Sequence, residues 1–199
     1  MSKIAIKGNE SGTATFTIEA PATNTDRIFE LPDEAGKILT DVGVPMSAMP
    51  AGSVIQVVSV TKTDVFSTTS SSLVDVTGLS ATITPTSATS KIIVLVKVTG
   101  GTSDTTGTGF SFRLMRGSTA IILGPTGTTF TGAFAFSQRV VGTQNLQTSG
   151  VDYLDSPSTT SSTTYKIQGQ VPSGTGYVNR SGGNELTGVS TITLMEIAG

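Results

Sequence analysis

The best-placed reactive groups in this sequence are Asp152 and Asp155, which flank Tyr153 in the run "VDYLDSP". Two carboxylates held a few ångströms apart are the tools of sugar-cleaving enzymes, one as acid and the other as base or nucleophile. On a loop, the same pair would serve as a contact to carbohydrate or to calcium. A plainer reading competes with both: Asp and Ser ahead of Pro bond their own backbone and build turns. Tyr153, Tyr165 and Tyr177 are the only tyrosines, and Arg180 follows the last of them in "GYVNRS". Tyr and Arg at a wet surface are recognition residues. Tyr also lines sandwich and subunit contacts with its hydroxyl satisfied. Asp152, Tyr153, Asp155, Tyr177 and Arg180 are therefore the candidate contacts to a receptor, each weighed against a structural role.

The residue types that are missing narrow the chemistry further. The 199 residues include no His, no Cys and no Trp. Without His there is no Ser-His-Asp triad, and the commonest general base and metal ligand are absent. Without Cys there is no disulfide, thiolate nucleophile or zinc cluster. A Ser–Lys pair stays open, although nothing marks one out. "GPTGTT" (124–129) lacks the Gly-Lys-Ser/Thr of a phosphate loop and opens no helix. The GxG spacings at Gly107–Gly109 and Gly174–Gly176 lie in Ser/Thr-rich loops. Asn9-Glu10-Ser11 and Asn179-Arg180-Ser181 match a glycosylation sequon by coincidence if the chain is not secreted. The sequence thus calls for no catalytic residues, no cofactor and no metal, and the expectation is a protein that is not an enzyme.

Net charge is −2 with the charges scattered, so no nucleic-acid or anionic-membrane footprint stands out. "MSKIAIKGNES" holds lysines but no apolar run of signal-peptide length, and no membrane insertion is expected. The expectation is a soluble chain made in a cytosol without a signal peptide.

What positions these residues is β structure. The chain has 35 Thr, 24 Ser, 23 Gly and 8 Pro, and only 13% of it is charged. Thr, Val and Ile favour strands, and Gly, Ser and Pro punctuate them. Strands are expected at 53–62, 73–76 and 81–84 around a "TGLS" turn, 91–99, 110–116, 120–123, 131–141, 152–154, 163–171, 176–179 and 189–197. Residues 67–72 are expected as a polar loop or exposed edge. "KIIVLVKVT" (91–99) is apolar at almost every position, which fits a central strand buried on both faces. Loops are expected at 100–109, 124–129 and 142–150, and polar loops on a rigid sandwich are where binding tends to sit. About eight to ten strands without a convincing helix predict an antiparallel β-sandwich, a jelly roll rather than an immunoglobulin-like arrangement.

The first 45 residues pose a separate problem. They alternate in short runs that carry Ile4, Ile6, Phe16, Ile18, Ile28, Phe29 and Leu31. These are too many apolar side chains for a disordered tail. The segment is also too short to fold alone without a disulfide or a metal. Burial against sister chains or a docking partner solves this, and closed cyclic symmetry is its usual form. Packing back on the chain's own sandwich is the competing solution. The sequence divides into an attachment and trimerisation module at 1–45, a Pro/Gly hinge at 46–52 and a sandwich head at 53–199.

The run "TFTIEAPATNTDRIFELPDEAGKILT" (15–40) resembles a segment of bacteriophage tail fibre and related virion proteins. There a "TFTIxAPxTNTxRxxxLPDxxGxxLT"-like stretch precedes a distal domain. "YLDSPSTTSSTTYKIQGQ" (153–170), "GYVNRS" (176–181) and "STITLMEIAG" (190–199) are similar to the final strands of their heads. The resemblance implies a homotrimer on the virion exterior, joined to tail or baseplate proteins by its N-terminus. It also implies a jelly-roll head like that of C1q and tumour necrosis factor, and receptor binding to a host cell-surface glycan or protein. The chain departs from the long fibres in having almost no shaft between 43 and 52. A capsid decoration (cement) protein or a baseplate protein is therefore the alternative, and a depolymerase tailspike a further one.

Overall fold

Period-two alternation decides where the strands form. In "VIQVVSVTK", Val58 and Val60 turn to the core while Val57, Ser59 and Thr61 face outward. The computed structural model describes residues 49–103, 109–124, 132–136 and 145–199. Eleven strands lie among them. In chain order they are β1 (Val54–Lys62), β2 (Phe66–Thr68), β3 (Val74–Ile83), β4 (Lys91–Thr102), β5 (Phe110–Arg116) and β6 (Thr119–Ala120). There follow β7 (Phe134–Phe136), β8 (Gln147–Asp155), β9 (Thr163–Gln170), β10 (Gly176–Val178) and β11 (Ser190–Ile197). No helix occurs among the described residues. The expectations for 1–48, including Ile4, Ile6, Phe16, Ile18, Ile28, Phe29 and Leu31, lie outside them.

The strands build two antiparallel sheets. One runs β1-β11-β4-β8, with β10 beside the last residues of β4 and β2 beside β10. The other runs β3-β9-β5, with β6 and β7 both on the free edge of β5. Between the sheets lies an apolar core that includes Leu79, Ile83, Ile92, Val94, Phe110, Phe112, Leu114, Ile167, Ile192 and Leu194. Phe110, Phe112, Phe134 and Phe136 pack ring on ring, with Phe112 and Phe136 edge to face at 5.1 Å. Hydroxyl pairs stitch strand to strand on the exposed faces, Ser59 with Thr193 (2.8 Å) and Thr82 with Thr164 (2.8 Å). Such cross-strand pairs are one use of so much Thr and Ser.

Register gives the sandwich two distinct ends. At the near end Val54 faces Ile197, and Ile92 faces Asp155. There Gly52 N–H donates to the Ala198 carbonyl (2.8 Å) and Ala198 N–H to that of Ser53 (2.9 Å). At the far end Lys62 faces Ser190, Gly100 faces Gln147 and Gly176 faces Thr102. The length of β1 sets these ends roughly 25 Å apart, at about 3.3 Å per residue.

Four expectations need correction. "TGLS" is no turn between two strands: β3 runs through it, and the register shifts between Asp75 and Ser80 as a bulge. The glycines at 100–101 open no loop, because β4 continues to Thr102. A Cβ on Gly100 would stand 2.1 Å from the Tyr177 carbonyl oxygen, so glycine is what lets β10 come close. The loop expected at 142–150 gives way at Gln147, where β8 begins. Gly150 is its counterpart on the other edge of β4, with Val96 O 2.0 Å from where a Cβ would be. β4 itself is deeply buried on one face only: Ile92, Val94, Val96 and Val98 are enclosed, whereas Ile93 and Leu95 are half-buried on the outer side.

Candidate functional site

Asp152 and Asp155 do not form a pair. Both belong to strand β8 rather than a loop, and alternation sends residues three apart to opposite faces. Asp152 is exposed on the outer face, while Tyr153 turns inward and packs against the core. Asp155 is buried at the near end of the sandwich. Its carboxylate accepts from Arg116 Nη1 (2.9 and 2.8 Å) at the end of β5 and from the Tyr165 hydroxyl (2.6 Å) of β9. One side chain thus ties the two sheets together. Burial pushes the Tyr165 hydroxyl well above its ordinary pKa, and its bond to Asp155 adds to the shift. Asp155 is withdrawn from the surface, and the acid–base reading of "VDYLDSP" has no geometry behind it.

Tyr177 and Arg180 are brought together, at the far end. Tyr177 lies on β10 and Arg180 just beyond it, with the guanidinium carbon 3.9 Å from the ring centre. That is a close cation–π stack. Arg180 Nη1 also donates to Asn184 Oδ1 (3.1 Å) across the following turn. Backbone bonds from Ser181 N–H to Leu186 (2.9 Å) and from Gly188 N–H to Asn179 (3.1 Å) hold this turn in shape. Val65, Leu186 and Val189 stand exposed at the same end. The far end therefore carries a half-buried ring–guanidinium stack, with exposed apolar side chains at the same end.

Asn179, between these two residues, stands out in the sequence only as a sequon match. It is buried and adopts a left-handed conformation (φ 67°). Its amide donates to the carbonyls of Lys62 (2.8 Å) and Asp64 (2.9 Å), and its oxygen accepts from the Ser190 hydroxyl (2.6 Å). It locks the far ends of β1, β10 and β11 into one corner and so sets where Tyr177 and Arg180 stand. Asn before a turn was the available signal, since Asn tolerates positive φ better than other non-glycine residues. Its long-range partners left no trace in the sequence.

Glu196 is a second buried carboxylate, at the near end. Burial pushes its pKa up, but bonds from Gln56 Nε2 and from Thr86 N–H and Oγ1 (2.7 Å each) outweigh burial and hold it below the ordinary 4.5. The bond from Lys166, followed by that from Gln168, likewise holds Asp75 low. A carboxyl depressed in the folded state stabilises the fold above its unfolded pKa, and this is lost as pH falls through the folded value. The urea midpoint is accordingly expected to be flat down to about pH 4.5 and to drop below it. Glu196→Gln should flatten that drop while lowering the midpoint at neutral pH. An acid limb of unchanged steepness in the variant would count against this assignment.

Among the described residues no group of acidic side chains is placed to hold a metal, and no helix is long and apolar enough to cross a membrane. The site is a ring–guanidinium stack on a two-sheet antiparallel β-sandwich. No family model matches the chain, and no curated protein matches it either. Solved structures do match it. One is the structure of infectious bursal disease virus, Gt strain, at 15% identity and a TM-score of 0.40. That match covers 81% of this chain and 43% of the viral one, so the chain spans less than half of the protein it matches there.

Proposed function

We propose that the chain is a non-enzymatic bacteriophage virion structural protein, a short trimeric tail fibre. Residues 1–45 mount it on the tail or baseplate, and its head faces the host surface. The observation that carries this reading is the division of labour between the two ends of the sandwich. The chain enters the sandwich at Gly52, beside Ala198. The Tyr177–Arg180 stack sits at the opposite end, where a tethered head would meet a receptor. The likeness of 15–40 to fibre segments supports the mounting role.

Strand pairing supports a jelly-roll head. β1 pairs β11, β3 pairs β9, β4 pairs β8 and β5 pairs β7. This nested order of first with last, down to an innermost pair, is what results when one long antiparallel hairpin is rolled into two sheets. A capsid cement or baseplate role would use the same fold with the far end turned elsewhere.

Labelling of intact particles with antibody against the head separates these readings. Label at the distal tail is the expected result; label over the capsid would replace the fibre with a cement protein. On the fibre reading, purified full-length protein binds host cells, and Tyr177→Ala and Arg180→Ala each reduce that binding while leaving the circular dichroism spectrum unchanged.

A further inference from the structure

A strand that is apolar on both faces asks to be covered on both. β4 has its inner face in the core, yet Ile93 and Leu95 remain half-buried on the outside of the sheet. Register carries this apolar surface across all four long strands. Val57 stands opposite Met195, Met195 opposite Ile93, and Ile93 opposite Leu154. The two ends of this row, Val57 and Leu154, are 55% and 50% exposed. Single exposed apolar residues are ordinary, but an unbroken row across a sheet marks a contact surface. The outer face of the other sheet is complete in itself. There Asp75 takes Lys166 (2.8 Å) and Gln168 (2.8 Å), and Thr82 pairs with Thr164.

We propose that the outer face of the β1-β11-β4-β8 sheet is the surface on which a second copy of this chain seats. The proposal rests on the oligomeric reading above and gives it a location. Charge favours a copy of the chain over a foreign partner. Lys91, Lys97 and Asp152 are all exposed on this one face, so sister chains offer each other both signs. A partner of one sign would meet a like charge. Relief points the same way. Two rows along from the apolar row, Gly150 stands opposite Lys97, and a shallow hollow of about 330 Å³ is bounded there by Lys97, Thr148 and Asp152. A ridge and a hollow on one face let copies of that face interlock with their neighbours.

The absence of cysteine makes a clean test. In the full-length chain, L154C and V57C each introduce a single thiol at one end of the row, and T82C places one on the outer face of the other sheet. Maleimide labelling is followed at a concentration where the measured mass is that of an oligomer, with circular dichroism confirming the fold of each variant. The row positions are expected to label about tenfold or more slowly than T82C, because a packed interface excludes solvent. Equal rates in the oligomer would overturn the proposed surface and leave self-assembly to the N-terminal residues. A monomeric full-length chain would overturn both this surface and the trimer.

Discussion

Asp155→Ala is expected to lower the unfolding free energy by about 2–4 kcal/mol, read from urea midpoints at fixed protein concentration. The loss falls unequally on the two partners. Tyr165 is wholly buried, and its hydroxyl would be left without an acceptor. Arg116 keeps 30% of its side chain exposed and can turn to water. Arg116→Ala should therefore cost less than Asp155→Ala. Tyr165→Phe should cost about 1 kcal/mol, since it removes the buried donor together with its bond. In the double variant, Asp155→Ala with Tyr165→Phe, part of the first loss should be recovered, because the two deletions share one bond and cannot add. A single variant at Asp155 within about 0.5 kcal/mol of the parent would show that the near end does not depend on this contact.

The second large effect is expected at Asn179. Asn179→Ala takes a donor from the carbonyls of Lys62 and Asp64, leaves the Ser190 hydroxyl only its bonds with Thr99, and forces alanine into positive φ. The expected cost is about 3 kcal/mol. Asn179→Gly loses the same bonds but accepts the backbone conformation, so it should be the milder change by about 1 kcal/mol. Asn179→Asp keeps the shape and turns the donor into an acceptor facing two carbonyl oxygens; it should be at least as damaging as alanine. If alanine and aspartate are both tolerated, the corner does not hold the far end. Loss of the corner should also weaken any binding by Tyr177 and Arg180, because their placement depends on it.

Local rules made most of the strands legible. β11 follows clean alternation and β9 nearly so, and Phe110–Arg116 lies where its pattern puts it. Two of the misreadings share one cause. Gly100 and Gly150 look like loop residues in the sequence, but they are glycine because neighbouring backbone presses on them, and that neighbour is far away along the chain. The same holds for chemistry. "VDYLDSP" shows two carboxylates close together in sequence, and only knowing that they lie on one strand reveals that they face apart. The partners of Asp155 sit 39 and 10 residues away, on two other strands. Tyr177 and Arg180 were legible as a pair because they are near each other in both sequence and space.

The bonds of Gly52 and Ser53 with Ala198 have a consequence for how such a sandwich can evolve. Chain enters and leaves the sandwich at neighbouring points on one end. The segment between them is therefore a cassette, which recombination at two nearby seams could replace with another of equal spacing without disturbing what precedes it. Selection on the far end, where Tyr177 and Arg180 lie, can then proceed independently of the sequence before Gly52.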